Sequence, residues 1–294
     1  MLTISIVGAG RLGGALALAL DKAGFDVEFL IYRTSEPPAE FSSRFRKRPV
    51  IKAIADVSEI RSDIIFITTQ DAEIATATKQ LAELIVDSPT MFITSGAISS
   101  ASIDELRAKG CRIGSLHPLV SISDPILGAD RFSGAYFCVE GDTEAVTQAE
   151  SIVKALGGHS FSIDPDKKAL YHASAVMASG DLLALIDMAV GTLEKCGLDR
   201  DIARAVLLPL IRSTVENFAE QGIEDSLTGP FVRGDSATFE RHLDALKENS
   251  TNTELETYLD LGERSLEIAM RTSANSPHLV ELMEKVSMAK KDSR

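Results

Sequence analysis

Cysteine is scarce and unpatterned: Cys111, Cys138 and Cys196 are the only three in 294 residues. Their odd number and the lack of any CxxC spacing exclude a disulfide framework and the usual thiolate zinc sites, so no metal is expected and the thiols are read as reduced core residues. Basic residues are also in short supply. The chain sets 30 Lys and Arg against 43 Asp and Glu, a formal net charge of -13, and so lacks the broad basic surface that a nucleic-acid partner requires. The densest basic run, Arg44, Arg46, Lys47 and Arg48, reads either as a solvated loop face or as a contact for an adenosine phosphate. Long unbroken apolar stretches are missing as well, because Asp181 and Asp187 interrupt the most apolar one. No basic leader precedes the first apolar run, and the expectation is a cytoplasmic protein without signal peptide or membrane span.

What is present is concentrated at the start. Thr3-Ile4-Ser5-Ile6-Val7 breaks into Gly8-x-Gly10-x-x-Gly13, and Leu12, Leu16 and Leu20 then recur at helical spacing. This places a dinucleotide fingerprint on a strand-to-helix turn. Gly8 permits the tight turn, Gly10 lets the backbone approach a pyrophosphate, and Gly13 allows close helix–strand packing. The helix N-terminus at Arg11 and Leu12 offers unpaired N–H groups to the anion.

The second strand, residues 27–31, runs into Tyr32-Arg33-Thr34-Ser35, where an NAD site usually carries an acid for the ribose hydroxyls. Arg33, Thr34 and Ser35 instead supply a guanidinium and two hydroxyls, groups suited to a 2'-phosphate, so NADP is the expected cofactor. Glu28 lies inside the strand and cannot take the acid's place. Later strand ends put Thr69, Gln70, Ser95 and Gly96 on the same crevice.

Short apolar strands alternate with helical patterns as far as Asp164-Pro165-Asp166, as expected of a parallel sheet covered on both faces. Ser102-Ile103-Asp104-Glu105 reads as a capping box opening a helix that ends near Gly110. Beyond Lys167 only helical patterns remain. They predict helices over about 168–196, 200–221 with a kink at Pro209, 237–247 and 254–271, and a last helix starting at Ser276-Pro277. The fold class is therefore α/β, a doubly wound parallel sheet followed by an all-α C-terminal domain, divided as residues 1–164 and 165–294. The stretch from Met177 to Val190 is apolar on nearly every side, which predicts a homodimer formed through the helical domain.

Five segments carry a resemblance over essentially the full length: Gly8-Ala9-Gly10-Arg11-Leu12-Gly13, Thr94-Ser95-Gly96-Ala97, Ser115-Leu116-His117-Pro118-Leu119, Tyr171-His172-Ala173-Ser174-Ala175, and residues 228–235 from Thr228 to Asp235. The chain resembles the Rossmann-like oxidoreductases with a C-terminal helical domain of unknown function, relatives of pyrroline-5-carboxylate reductase, ketopantoate reductase and 3-hydroxyisobutyrate dehydrogenase. The resemblance implies a Rossmann cofactor domain and an NADP-dependent oxidoreductase, but names no substrate.

Such an architecture supports hydride transfer to or from a C=O or C=N carbon of a small, carboxylate-bearing metabolite, at a cleft between the domains, with the protein supplying position and a proton. His117, at a strand end, is read as a candidate acid or substrate anchor, or as a histidine satisfied by backbone beside Pro118. Lys168 and His172 share a helix face and form the preferred catalytic pair, the alternative for Lys168 being an exposed first-turn lysine. In hydroxyisobutyrate-type dehydrogenases an amide residue follows the lysine by four positions, where this chain has histidine. Ser179, before Gly180, resembles a Ser-Gly region of pyrroline-5-carboxylate reductase and is a substrate-binding candidate. Arg233 is another, unless it pairs with Asp235 or with helix C-terminal carbonyls and fixes its loop. The rival to an enzyme is a non-catalytic NADP(H)-binding redox sensor or regulatory protein. A third reading makes a deazaflavin the hydride partner.

Overall fold

A computed structural model describes residues 2–33, 39–273 and 276–293, so Thr34 and Ser35 lie outside the described residues. The chain separates into two compact units, residues 1–180 and 181–294.

In unit 1 the chain runs β1 (Thr3–Val7), α1 (Arg11–Lys22), β2 (Asp26–Tyr32), α2 (Ala39–Ser42), β3 (Val50–Ala53), β4 (Ile64–Ile67) and α3 (Ile74–Leu84). It continues through β5 (Thr90–Ile93), β6 (Arg112–Pro118), α4 (Pro125–Gly128), β7 (Tyr136–Gly141), α5 (Thr143–Ala155), β8 (His159–Phe161) and α6 (Lys168–Val176). The strands form one eight-stranded sheet in the order β3-β2-β1-β4-β5-β6-β7-β8. Neighbours pair in parallel except β6 and β7, which are antiparallel. The sheet is thus the expected doubly wound, mostly parallel one with a single antiparallel pair, and β3 is a strand that the apolar pattern did not reveal.

Alternation along the central strands explains why both faces are covered. Ile4, Ile6, Ile64, Phe66 and Phe92 enter one core with the inner face of α1, while Val7, Ile65, Ile67, Met91 and Ile93 enter the other with α3. A strand buried on both faces must be apolar at successive positions, which is why these strands read as continuous hydrophobic runs. Sequence order reverses between β1 and β4, and a doubly wound sheet binds ligands at the carboxyl ends beside such a reversal.

Several local expectations are corrected. Residues 100–109 form a 3-10 helical segment broken at Ile103, whose N-cap is Ser99, so Ser102 does not cap it. Cys111 and Cys138 are buried, but Cys196 is exposed. The basic run lies on a solvated loop: Arg46 pairs with Asp21 near the end of α1 and Lys47 with Asp26 at the amino end of β2, opposite the ligand-binding edge. The adenosine-phosphate reading is therefore dropped for Arg46 and Lys47, while Arg44 pairs with Glu40, which lines a pocket together with Gly10 and Arg11.

The expected first long helix contains a π-helical turn, Met177–Asp181, between α6 and α7 (Leu182–Lys195). The boundary between the compact units falls within it, beyond the boundary at 164 read from the change of period. By length and composition alone the run Pro165–Lys195 is long and apolar enough to cross a membrane, so Asp181 and Asp187 do not disqualify it on composition.

Unit 2 continues with α8 (Arg200–Ser226), α9 (Pro230–Arg233), α10 (Ser236–Asn249), α11 (Asn252–Ser273) and α12 (Pro277–Asp292). The backbone stays helical at Pro209 and departs at Gly222, where φ is +82°. Phe239, Leu259, Leu266, Leu282 and Val286 knit α10, α11 and α12 into one core. By contrast α7 and α8 bury only Val190 and Ala203, and leave Leu183, Val206, Leu210, Val215 and Phe218 exposed.

Candidate functional site

The glycine turn is shaped by close approaches that no side chain tolerates. Gly8 has φ +106°, and a Cβ there would lie 2.8 Å from the Thr69 amide nitrogen. A Cβ on Gly13 would lie 2.3 Å from the Gly8 carbonyl oxygen, so Gly13 sets the helix directly against the turn. Gly10 differs, since a Cβ there meets nothing within 4 Å; its lack of a side chain keeps space open.

The N-terminus of α1 begins after Gly10 with no side-chain cap and no acid in its first turn. Its amides, at Arg11 and Leu12 among others, therefore remain available to an anion at the positive end of the helix dipole. Across the turn, Thr68 donates its hydroxyl to the Gly8 carbonyl at 2.7 Å, and the buried Thr69 Oγ1 has no hydrogen-bond partner. These features fit the pyrophosphate of a dinucleotide. Gln70 follows at the exposed rim.

Next to the turn, a cavity of about 210 Å³ is lined by Gly8, Tyr32, Arg33, Thr69 and Glu73 among others. Arg33, at the end of β2, pairs with Glu73 at 2.6 Å. Glu73 was not singled out from sequence, because it follows a different strand.

At the carboxyl ends of β5 and β6 a second group assembles within unit 1. Ser95 accepts hydrogen bonds from the amides of Ala97 and Ile98, which holds the bend at Gly96. A Cβ on Gly96 would come within 2.3 Å of His172 Nδ1 and 2.8 Å of His117 Nε2, so the two imidazoles close onto bare backbone. Their ring centroids are 5.6 Å apart, edge to face. His117 Nδ1 and the Tyr171 hydroxyl are 2.7 Å apart, while His172 Nδ1 is buried without a partner.

Lys168 is placed differently from its two histidine neighbours. It is 1% exposed, donates to Ser115 Oγ at 2.5 Å and lies 3.5 Å from Glu140. Glu140 is held in turn by the amide and hydroxyl of Ser100 at 2.9 and 2.7 Å. The expected Lys168–His172 pair thus divides: His172 faces Gly96 and His117, whereas the Lys168 ammonium is committed to a buried network under α6. The reading of Lys168 as an exposed first-turn lysine is corrected too. Glu140 and Tyr171 are the partners that sequence reasoning missed.

Burial pushes the Lys168 ammonium below its usual range, with Glu140 pulling it back up. The His117 imidazole is lowered to about 4, chiefly by burial and further by the positive charge of Lys168 and by His172. Burial raises the Tyr171 phenol well above its ordinary value. Between roughly pH 6.5 and 4 the unfolded chain therefore takes up a proton at residue 117 that the native state refuses, so stability falls as pH falls. This contribution is expected to reach about 2–3 kcal/mol across that window. Urea titrations of wild type and His117→Gln at pH 7 and pH 4.5 check it, since the variant should lose less stability on acidification.

The remaining candidates stand apart. Ser179 donates to the Ala175 carbonyl within the helix and is exposed. Arg233, in unit 2, is exposed and makes no ion pair among the described residues. Asp235, its proposed partner, caps α10 through the Thr238 amide and hydroxyl. No metal-binding group of His, Cys, Asp and Glu occurs among the described residues.

No curated protein matches the chain. Among solved structures it is similar to a Bacteroides fragilis protein described as a candidate NADP oxidoreductase, with 22% identity, coverage of 90% of this chain and 97% of the other, and TM-score 0.72. A Thermotoga maritima protein has 23% identity, coverage of 92% and 99%, and TM-score 0.69. Plasmodium falciparum pyrroline carboxylate reductase, solved with NADP bound, has 14% identity, coverage of 98% of each chain and TM-score 0.59. At these identities the likeness is one of fold. Residues 1–118 match a Rossmann-like domain and residues 135–265 match a domain of unknown function, DUF2520, so the chain joins a Rossmann-like fold to a DUF2520 domain.

Proposed function

We propose that this chain is an NADP(H)-dependent oxidoreductase acting on the C=O or C=N carbon of a small, carboxylate-bearing metabolite. The reading rests on one convergence: an uncapped glycine turn, the unpaired Thr69 hydroxyl and two imidazoles against Gly96 all lie along the ligand-binding edge of one sheet. Similarity of fold to proteins named for NADP supports it. When bound, the dinucleotide supplies the hydride; Gly8, Gly10, Gly13 and the first amides of α1 hold its pyrophosphate.

Tyr171 keeps its proton and shares a hydrogen bond with His117 Nδ1; in the tautomer that serves this reading the Tyr171 hydroxyl is the donor and the single imidazole proton sits on Nε2. His117 is then a neutral hydrogen-bond donor at pH 7, able to polarise a substrate oxygen or nitrogen beside Gly96. His172, with its unpartnered buried nitrogen, anchors the substrate. Lys168 acts through position: it fixes α6 on the sheet and helps to keep His117 uncharged.

The placement of Lys168 favours a second reading, a non-catalytic NADP(H)-binding sensor, because it removes the most basic candidate from the reacting space. We place the chain outside the membrane, since lipid insertion of residues 165–195 would strip Lys168 from Ser115 and Glu140. The exposed apolar faces of α7 and α8 support a homodimer, which sedimentation tests.

Oxidation of NADPH, followed at the nicotinamide absorbance against keto acids, cyclic imines and deazaflavin, separates the readings. Turnover with at least one electrophile, abolished in His117→Ala, is the expected result. Tight NADPH binding with silence across the panel would favour the sensor.

A further inference from the structure

We infer, building on the nicotinamide-dinucleotide reading above, that Arg33 and Glu73 form a two-sided selector that admits both NADP(H) and NAD(H), with Glu73 restraining the preference for the phosphorylated form. The two side chains share the wall of the cavity beside Gly8 and meet at 2.6 Å. They arrive from different elements: Arg33 ends β2, whereas Glu73 closes the 3-10 turn Asp71–Glu73 that leads into α3.

Each half matches one form of the adenosine ribose. A guanidinium presents a fork of donors to a 2'-phosphate, while a carboxylate accepts from a bare 2'-hydroxyl. The acid that an NAD site carries at the end of β2 is here supplied from across the cavity. Only part of the Arg33 fork is engaged by Glu73, and its side chain is 64% exposed, so donors remain for an incoming phosphate.

The same contact sets the restraint. A bound 2'-phosphate would carry its charge within a few ångströms of the Glu73 carboxylate, and like charges at that range in a partly hydrated site cost roughly tenfold in affinity. Glu73 therefore weakens binding of the phosphorylated carrier while favouring the other.

Calorimetric titration of NADPH and of NADH into the full chain, at one ionic strength, tests this with wild type, Glu73→Gln and Arg33→Ala. Wild type should take up both carriers. Glu73→Gln should raise the ratio of the NADH Kd to the NADPH Kd about tenfold, and Arg33→Ala should bring the ratio to one or below. Unaltered thermal melting will show that both variants are folded. NADPH binding with a ratio unchanged in Glu73→Gln, or with no NADH uptake by wild type at millimolar concentration, overturns the selector alone. Failure of folded wild type to bind either carrier overturns the selector together with the functional reading beneath it.

Discussion

Replacing Lys168 by methionine is expected to destabilise the native chain by about 3–5 kcal/mol, although the new side chain fills similar volume. The cost comes from what remains. Glu140 is 6% exposed and loses its cation while keeping the two hydrogen bonds from Ser100, and Ser115 loses its donor. A buried carboxylate left in this way must either stay charged in an apolar setting or take up a proton, and both outcomes lower stability at neutral pH. Pairing the change with Glu140→Gln should recover much of the loss, because removing both charges also removes the unbalanced one. Urea unfolding of the two single variants and the double variant measures the coupling. A cost below about 1 kcal/mol for Lys168→Met would show that the network does not fasten α6 to the sheet.

The second large effect falls on binding while leaving the fold alone. Gly10→Val should keep the melting temperature within a few degrees of wild type, since the new side chain enters open space. It should nevertheless weaken NADPH binding roughly a hundredfold or more, by blocking the approach to the first amides of α1 and forfeiting charge-assisted hydrogen bonds. Gly13→Val provides the contrast. Its Cβ would collide with the Gly8 carbonyl, and the fold itself should suffer. Calorimetry beside thermal melting distinguishes the two, and NADPH affinity unchanged in Gly10→Val would place the dinucleotide elsewhere.

The glycine turn was legible in sequence because its demands are local: one positive φ, one close packing contact and one open approach each require glycine. The paired cores were legible for a similar reason, since successive apolar residues in β1, β4 and β5 leave no face for solvent. Strand direction was not, because alternation carries no sign, and the antiparallel β6–β7 pair emerged only from its register. β3 escaped notice as a short edge strand directly after a basic run.

The site was legible in its residues more than in their roles. His117, His172 and Gly96 were all singled out, and they meet. Glu140 was passed over because a carboxylate next to Gly141 reads as the wet end of a strand; its burial depends on Ser100 and Lys168, distant in sequence. The same partners turned Lys168 from a presumed reactive group into a structural one. Nothing in the sequence gives Tyr171 a role, since its contact with His117 spans two elements.

Calorimetric titration of NADPH into the folded wild-type chain probes the central claim most directly. Saturable uptake of one equivalent per chain is the predicted result, lost in Gly10→Val. No heat and no change in melting temperature at millimolar NADPH would contradict it.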